Sequence, residues 1–398
     1  MRWFEETIET LLSLGVREFC VCAGKRNAPL VSLLDGIEGI QIYRHFEERS
    51  AAFFALGRTL DSGRPVAVVT TSGTAAGELL PAMMEATYVG APLIAVTADR
   101  PRSYRGSGAP QACEQKEIFG VYASVSIDCE EREKLVLPIW DKKSPLHLNL
   151  CLEEPKILPS IRMRATEETF SVSHPPFQGE CLLEFTRRVK KPLVMVSTLH
   201  PSERQGVEAF LRSFKAPVIL EGVSGLRGLE SLKPYVLKST ESVQPFDGIL
   251  KLGGVPTLRA WRDLEDLEGK IELLSISRTR YRGLSWGAHV TADLATLPHL
   301  SGEWDFAELK NQDRLASAEI VELLQKYPTS EPGMVHALSK KMEADARVYL
   351  GNSLPIREWD LAACEEAPRA VWASRGLNGI DGQLSTALGL KADWALLG

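Results

Sequence analysis

Glu48 stands where a strand-forming run, Gln41 to His45, gives way to a helical pattern with Ala51, Phe53, Phe54 and Leu56 on its apolar face. A carboxylate held at such a corner against Phe and Ala loses hydration, which raises its proton affinity and suits it to hold or pass a proton near neutral pH. The alternative is an ordinary first-turn acid favoured by the helix dipole, and this segment alone leaves both open. Two further breaks follow. The apolar run Pro65 to Thr71 ends in Ser72-Gly73-Thr74-Ala75-Ala76-Gly77, and Pro92 to Ala98 ends in Asp99-Arg100-Pro101. Turns rich in hydroxyls and glycine after a strand place backbone N–H groups at a helix N-terminus, where a polar ligand can approach. One such turn is common; three in succession are a pattern.

The elements that must position these turns alternate. Helices are predicted around 2–14, 28–35, 48–61 and 74–89, and strands at 17–22, 40–46, 65–71 and 92–98, with a late strand at 145–150. That order predicts a mostly parallel sheet with helices on both faces. Cys20 and Cys22 alternate along one strand and read as core rather than as metal ligands, and no Cys/His cluster has zinc spacing. A Pro-, Ser- and charge-rich stretch at 156–180 reads as a linker. A second α/β alternation spans 181–303, with the helix Ser202–Phe214 and strands at 248–252 and 271–275. A helical connection covers 304–331 within a helical region reaching about 343. Ser330-Glu331-Pro332 reads as a cap and first turn, and 332–398 opens a further α/β unit whose final strand, Trp394 to Gly398, reads as buried.

Composition bounds the rest. The 398 residues allow two or three domains, and 44% hydrophobic with 25% charged content is ordinary for a soluble globular chain. A net charge of −6 argues against a general nucleic-acid surface, and the short run Arg278-Thr279-Arg280-Tyr281-Arg282 reads as a solvated loop. Seven scattered cysteines suit a reducing, cytoplasmic setting. The N-terminus lacks a signal-peptide core, and no apolar run approaches the roughly 20 residues that span a membrane.

The motifs in order are Ala23 to Leu30 (AGKRNAPL), His45 to Gly57 (HFEERSAAFFALG), Thr71 to Gly77 (TSGTAAG), Thr97 to Pro101 (TADRP) and Gly108 to Gln111 (GAPQ). A second block holds Gly351 to Arg357 (GNSLPIR) and Ser374 to Gly382 (SRGLNGIDG). Together these resemble the thiamine diphosphate-dependent enzymes, strongly over residues 15–112 and 346–398 and thinly between. Within that superfamily they look most like the 2-succinyl-5-enolpyruvyl-6-hydroxy-3-cyclohexene-1-carboxylate synthases of menaquinone and phylloquinone biosynthesis. The resemblance implies consecutive doubly wound α/β domains of the thiamine diphosphate-binding fold. It implies decarboxylation of 2-oxoglutarate and conjugate addition of the resulting succinyl unit to isochorismate. It places Glu48 against the cofactor pyrimidine, with Glu47 secondary, and Thr71, Ser72, Gly73, Asn352 and Ser374 at the cofactor. Lys25, Arg26, Arg100 and Arg375 fall at substrate carboxylates with Gln111 as an amide contact, although each of the three arginines could instead be a surface ion pair.

Mg²⁺ is implied on the cofactor diphosphate. The family's metal ligands come after the strand that ends this chain, so they are expected beyond residue 398 and the last domain is expected to be incomplete. A homodimer or homotetramer is implied, with the site shared between subunits. Departures from the family pattern are Ala23 and Lys25, where it carries Pro and Ser, and Lys391, a loose match to an expected basic residue. The competing readings are another carboligase or decarboxylase acting on a different 2-oxo acid, and a non-catalytic oligomerisation module.

Overall fold

The computed structural model describes residues 2–156, 162–166, 170–238, 245–364 and 366–398. They form two compact units: Met1–Val172 with Gly379–Lys391, and Ser173–Asn378 with Ala392–Gly398.

The first unit opens with α1 (Arg2–Ser13), β1 (Glu18–Cys22), α2 (Ala28–Leu34) and a two-residue strand β2 (Ile37–Glu38). Next come β3 (Gln41–His45), α3 (Glu48–Ser62), β4 (Val66–Thr70), α4 (Thr74–Gly77), α5 (Leu80–Val89) and β5 (Leu93–Asp99). It continues with β6 (Val125–Glu130), β7 (Leu146–Cys151) and β8 (Met163–Arg164), the last pairing with β2 inside the stretch expected to be a linker. The six long strands lie in the order β3-β1-β4-β5-β7-β6, and every pairing is parallel. Side chains alternate between two cores. Phe19, Val21, Ala67 and Val69 pack on the side of α1 and α2, while Cys20, Cys22, Val66 and Val68 pack on the side of α3 and α5. Both faces are therefore covered, which is why these strands read as unbroken apolar runs.

Two sequence expectations change here. The single helix at 74–89 is two, because Pro81 lacks an N–H and the hydrogen-bond ladder restarts with it in the first turn of α5. The strand β6 was not anticipated, since Val125-Ser126-Ile127-Asp128-Cys129-Glu130 carries acids at the sheet edge.

In the second unit, α6 (Glu180–Arg188), β9 (Pro192–Val196), α7 (Arg204–Phe214), β10 (Val218–Leu220), β11 (Gly248–Leu252), α8 (Arg259–Asp263), β12 (Glu272–Ser277) and β13 (Ala288–Thr291) build a five-stranded parallel sheet in the order β10-β9-β11-β12-β13. Then α9 (Ala307–Lys326) and α10 (Glu331–Ser339) divide the expected helical region, and the Ser330 hydroxyl caps α10 by accepting from Gly333 N at 3.2 Å. A three-stranded parallel sheet closes the unit: β14 (Arg347–Leu350), β15 (Ala370–Trp372) and β16 (Trp394–Leu396), in the order β15-β14-β16, with α11 (Leu354–Ala362) after β14. The expectation of a buried final strand fails. β16 is an edge strand, and Trp394 and Leu397 are 36% and 42% exposed. Nor is the run Arg278 to Arg282 a solvated loop. Arg278 pairs with the buried Glu203 at 2.9 Å and with Asp293 at 3.0 Å, and Arg282 donates to the Leu284 and Gly287 carbonyls.

Between β15 and β16 the chain leaves the second unit. α12 (Gln383–Gly389) packs on α3 in the first unit at a glycine-lined crossing. A Cβ on Gly57 would lie 2.3 Å from the Thr386 carbonyl oxygen, and one on Gly389 would lie 2.1 Å from that of Phe54. Only bare backbone fits that close. Arg58, buried in the same place, donates to the Gly389 carbonyl and to both Glu18 and Asp61.

Candidate functional site

At the β3–α3 corner the two acids divide the work. Glu47 is the N-cap of α3, its carboxylate accepting from Arg49 N at 3.0 Å and Ser50 N at 2.7 Å. Burial would raise the Glu47 carboxyl, but hydrogen bonds from Ser50 and Arg49 outweigh it and hold the group below the usual carboxylate range. Glu48 is the first residue of the helix, half-buried rather than sealed in, and its carboxylate is left for other work. Both acids lie close enough to the Cys22 thiol to add to the effect of burial, which pushes that thiol up to about 12. Cys22 is a core group, not a nucleophile.

The Thr71–Gly73 turn follows β4 directly. Ser72 and Gly73 are buried and Thr71 half-buried. Gly73 has φ +82, and a Cβ there would stand 3.2 Å from Gln111 Cα, so the turn and the loop carrying Gln111 touch through backbone. Gly24 abuts Thr71 equally closely, with a Cβ position 2.6 Å from the Thr71 side chain. Three of the sequence motifs are thereby brought together: those around Gly24, Gly73 and Gln111. The expectation that the Gly73 N–H opens toward a ligand is corrected by the structure. It donates at 2.7 Å to Oε1 of Gln115, a residue that sequence reasoning did not single out.

Arg100 joins the same group, its Nε donating to the Pro110 carbonyl at 3.0 Å, one residue before Gln111. Gln111 itself is exposed with φ +58. Arg26 is anchored to the Leu152 and Glu153 carbonyls at 3.1 and 2.9 Å, and Lys25 pairs with Glu154 at 2.6 Å. The Lys25 ammonium first, then Arg26 and Arg100, hold the Glu154 carboxyl below its ordinary value. Of the four cations expected at substrate carboxylates, Lys25 and Arg26 already pair with a carboxylate supplied by the chain, and Arg100 adds its charge nearby.

Beneath this rim runs a buried polar network. Asn149 Nδ2 donates to Asp99 Oδ2 at 3.1 Å and Asp128 Oδ1 at 2.8 Å, while Arg105 pairs with both acids and donates to Cys151 Sγ at 3.2 Å. The donor atoms of Asp99, Asp128 and Cys151 lie within 4.8 Å of one another, a spacing that a metal could use. The Arg105 guanidinium occupies that role as the counter-cation. Burial raises Asp99, whereas for Asp128 it is outweighed by hydrogen bonds from Arg105, Asn149 and Arg102, which hold that carboxyl well below its usual range.

The remaining sequence candidates lie in the second unit. Asn352, Ser374 and Arg375 are all buried. Asn352 Nδ2 donates to the Ser374 carbonyl at 2.8 Å, Ser374 Oγ meets the Tyr349 hydroxyl at 2.7 Å, and Arg375 donates to Asn352 Oδ1 and to the Val255 carbonyl, each at 3.2 Å. The structure brings these three together. The Val255 loop follows β11, whose Lys251 is fully buried with Nζ on the Gly253 carbonyl at 3.0 Å and over the Trp261 ring at 5.8 Å. Burial pushes the Lys251 ammonium down to about 7, opposed by Glu221.

Residues 1–118, which hold the first four long strands of the parallel sheet, match the N-terminal TPP binding domain of thiamine pyrophosphate enzymes. Over 99% of its length the chain is 43% identical to a 2-succinyl-5-enolpyruvyl-6-hydroxy-3-cyclohexene-1-carboxylate synthase of Bdellovibrio bacteriovorus, covering 78% of that protein. A synthase of the same name from Akkermansia muciniphila is 42% identical over 96% of the chain and 75% of its own length. One from Synechococcus elongatus is 30% identical over 98% and 74%. The chain belongs to the family of 2-succinyl-5-enolpyruvyl-6-hydroxy-3-cyclohexene-1-carboxylate synthases.

Proposed function

We propose that the protein decarboxylates 2-oxoglutarate and adds the resulting succinyl unit to isochorismate, a carbon–carbon bond-forming step of menaquinone biosynthesis that yields the product in its relatives' name. Identity of 43% over nearly the whole chain is the observation that carries this reading against a carboligase for another 2-oxo acid. Thiamine diphosphate, when bound, supplies a nucleophilic carbon and an electron sink for the departing carboxylate.

The residues present fit that cofactor. Glu48 offers a half-buried carboxylate not committed to the helix cap, and it would accept a hydrogen bond from the pyrimidine ring nitrogen and stabilise the tautomer that accepts a proton. Thr71, Ser72 and Gly73 would form the wall beside the ring, the absence of a side chain at Gly73 letting the Gln111 loop close against the turn. Asn352 and Ser374, tied to each other, are further proposed cofactor contacts. Lys25, Arg26, Arg100, Gln111 and Arg375 would hold substrate carboxylates, the first three exchanging Glu154 for one of them.

Mg²⁺ enters the proposal as the diphosphate's counter-ion. A homodimer or homotetramer is part of it too, supported by the full exposure of Phe46 two residues before Glu48, by Ile380 ahead of α12, exposed at 68%, and by Leu384 and Leu388 on α12, exposed at 56% and 60%. A cytoplasmic location fits a biosynthetic reaction of this kind, and no described helix is long and apolar enough to cross a membrane.

Glu48→Gln tests the catalytic assignment. The amide keeps the shape but loses the carboxylate, so isotope exchange at the thiazolium C2 of added cofactor should slow by orders of magnitude. Equal exchange rates in wild type and variant would reject Glu48 as the activating acid.

A further inference from the structure

We infer that Gln115 is a positioning residue that sets the Thr71–Gly73 turn for thiamine diphosphate and, through Asn149, keeps it in register with the Asp99–Arg100 turn. The inference rests on the proposed assignment of Thr71, Ser72 and Gly73 to the cofactor.

Gln115 is fully buried, and its amide is fully used. Oε1 accepts from Gly73 N at 2.7 Å, and Nε2 donates to the Ala98 carbonyl at 3.1 Å and to Asn149 Oδ1 at 2.9 Å. These partners fix which end is oxygen. A flipped amide would set NH₂ against the Gly73 N–H and oxygen against the Ala98 carbonyl. Asn149 is fixed in the same way: its Oδ1 also accepts from Thr97 Oγ1 at 2.8 Å, and its Nδ2 faces the two carboxylates of Asp99 and Asp128. The other oxygen of Asp99 accepts from Arg100 N at 2.7 Å. One continuous path therefore runs from the Gly73 N–H through two amides and a carboxylate to the Arg100 N–H.

Its purpose follows from the backbone it holds. Gly73 sits at φ +82, ψ −137, a conformation that glycine can leave freely, because no side chain restricts it. A Cβ at Gly73 would press on Gln111 Cα at 3.2 Å, so the position stays glycine and its own residue cannot provide rigidity. A buried acceptor reaching in from the next loop can. Gln115 supplies that acceptor, and the four-residue spacing from Gln111 puts the clamp on the same loop as a proposed substrate contact.

Two variants test this. Gln115→Ala removes the acceptor. It should expose the Gly73 amide to hydrogen exchange, read by mass spectrometry on fragments spanning the turn. It should also weaken binding of thiamine diphosphate with Mg²⁺, measured by calorimetry, by about tenfold to a hundredfold, the range for one buried hydrogen bond. Gln115→Glu keeps the shape and the acceptor but donates only when protonated. Around it stand Asp99 from β5, Asp128 from β6, His147 and Cys151 from β7, Cys113 on its own loop and Arg105 beyond β5. With Gln115 buried and its partner Asn149 held by both Asp99 and Asp128, the ionised form is disfavoured, so cofactor binding by Gln115→Glu should tighten as pH falls from 8 to 6, relative to wild type. A purely packing role predicts no such trend.

Loss of Gly73 protection together with weakened, pH-dependent cofactor binding supports the inference. A Gly73 amide that stays protected in Gln115→Ala overturns it on geometry. Lost protection with unchanged affinity overturns it differently, by showing that the turn Gln115 holds is not the cofactor's.

Discussion

Lys251→Met should stabilise the protein at neutral pH and lose that advantage as the solution becomes alkaline. The lysine is fully buried in β11, and burial lowers its ammonium from 10.5 to about 7. That depression corresponds to roughly 4–5 kcal/mol. Its sign is set by linkage. With the folded value below the unfolded one, the unfolded chain binds the proton first, so stability is complete above 10.5 and is lost as pH falls toward 7. Methionine has similar length and carries no charge, so it avoids this cost. It gives up hydrogen bonds to the Gly253 and Gly254 carbonyls and the contact with Trp261, about 1 kcal/mol each. The balance is a gain of about 2 kcal/mol at pH 7, vanishing or reversing by pH 10. Urea unfolding of both proteins at intervals from pH 7 to 10, followed by circular dichroism, measures the difference directly. A difference that is constant with pH, or a variant less stable at pH 7, would refute the argument.

Other perturbations act on the first unit. Gly57→Ala would drive a methyl group to 2.3 Å from the Thr386 carbonyl, so the α3–α12 crossing must open, with an expected loss of about 1–3 kcal/mol in thermal unfolding. Glu47→Ala removes the α3 cap and should cost about 1 kcal/mol of stability while leaving isotope exchange at the cofactor C2 close to wild type, the opposite pattern to Glu48→Gln. Burial depresses His147 from 6.5 to about 4, so the stability present above pH 6.5 should fall by about 3 kcal/mol as pH drops through that window. His147→Gln should flatten the urea midpoint over the same range.

Much of the first unit was legible because its signals are local. The parallel sheet follows from unbroken apolar runs, and the inward pairing of Cys20 with Cys22 follows from period two. The three turns sit where the runs stop. The division of labour between Glu47 and Glu48 was not legible, since adjacent acids both suit a first turn and only the φ, ψ of the cap separates them. Gln115 escaped notice for a different reason: an amide in a loop takes its meaning from what folds over it. A signal did exist in Leu146-His147-Leu148-Asn149-Leu150 and in Thr97, polar residues at buried strand positions that must find partners. The docking of α12 on α3 left its trace in Gly57, Gly382 and Gly389, which read separately as ordinary helix or turn glycines and make sense only as a pair of surfaces.

That docking bears on how the chain acquires its fold. The first unit is interrupted: about 200 residues separate Val172 from Gly379, and α12 must return across all of them. Closing a loop of that length costs about 5 kcal/mol in chain entropy, which must be met by the packing of one seven-residue helix and the Arg58 hydrogen bond to the Gly389 carbonyl. Long-range closure of this kind is slow. During synthesis, the helix that carries Glu48 emerges long before its packing partner exists, and its glycine groove at Gly57 stays uncovered until the ribosome has passed residue 391. Completion of the packing around the Glu48 helix is thereby a late event in the life of the polypeptide, timed by a segment far away in sequence.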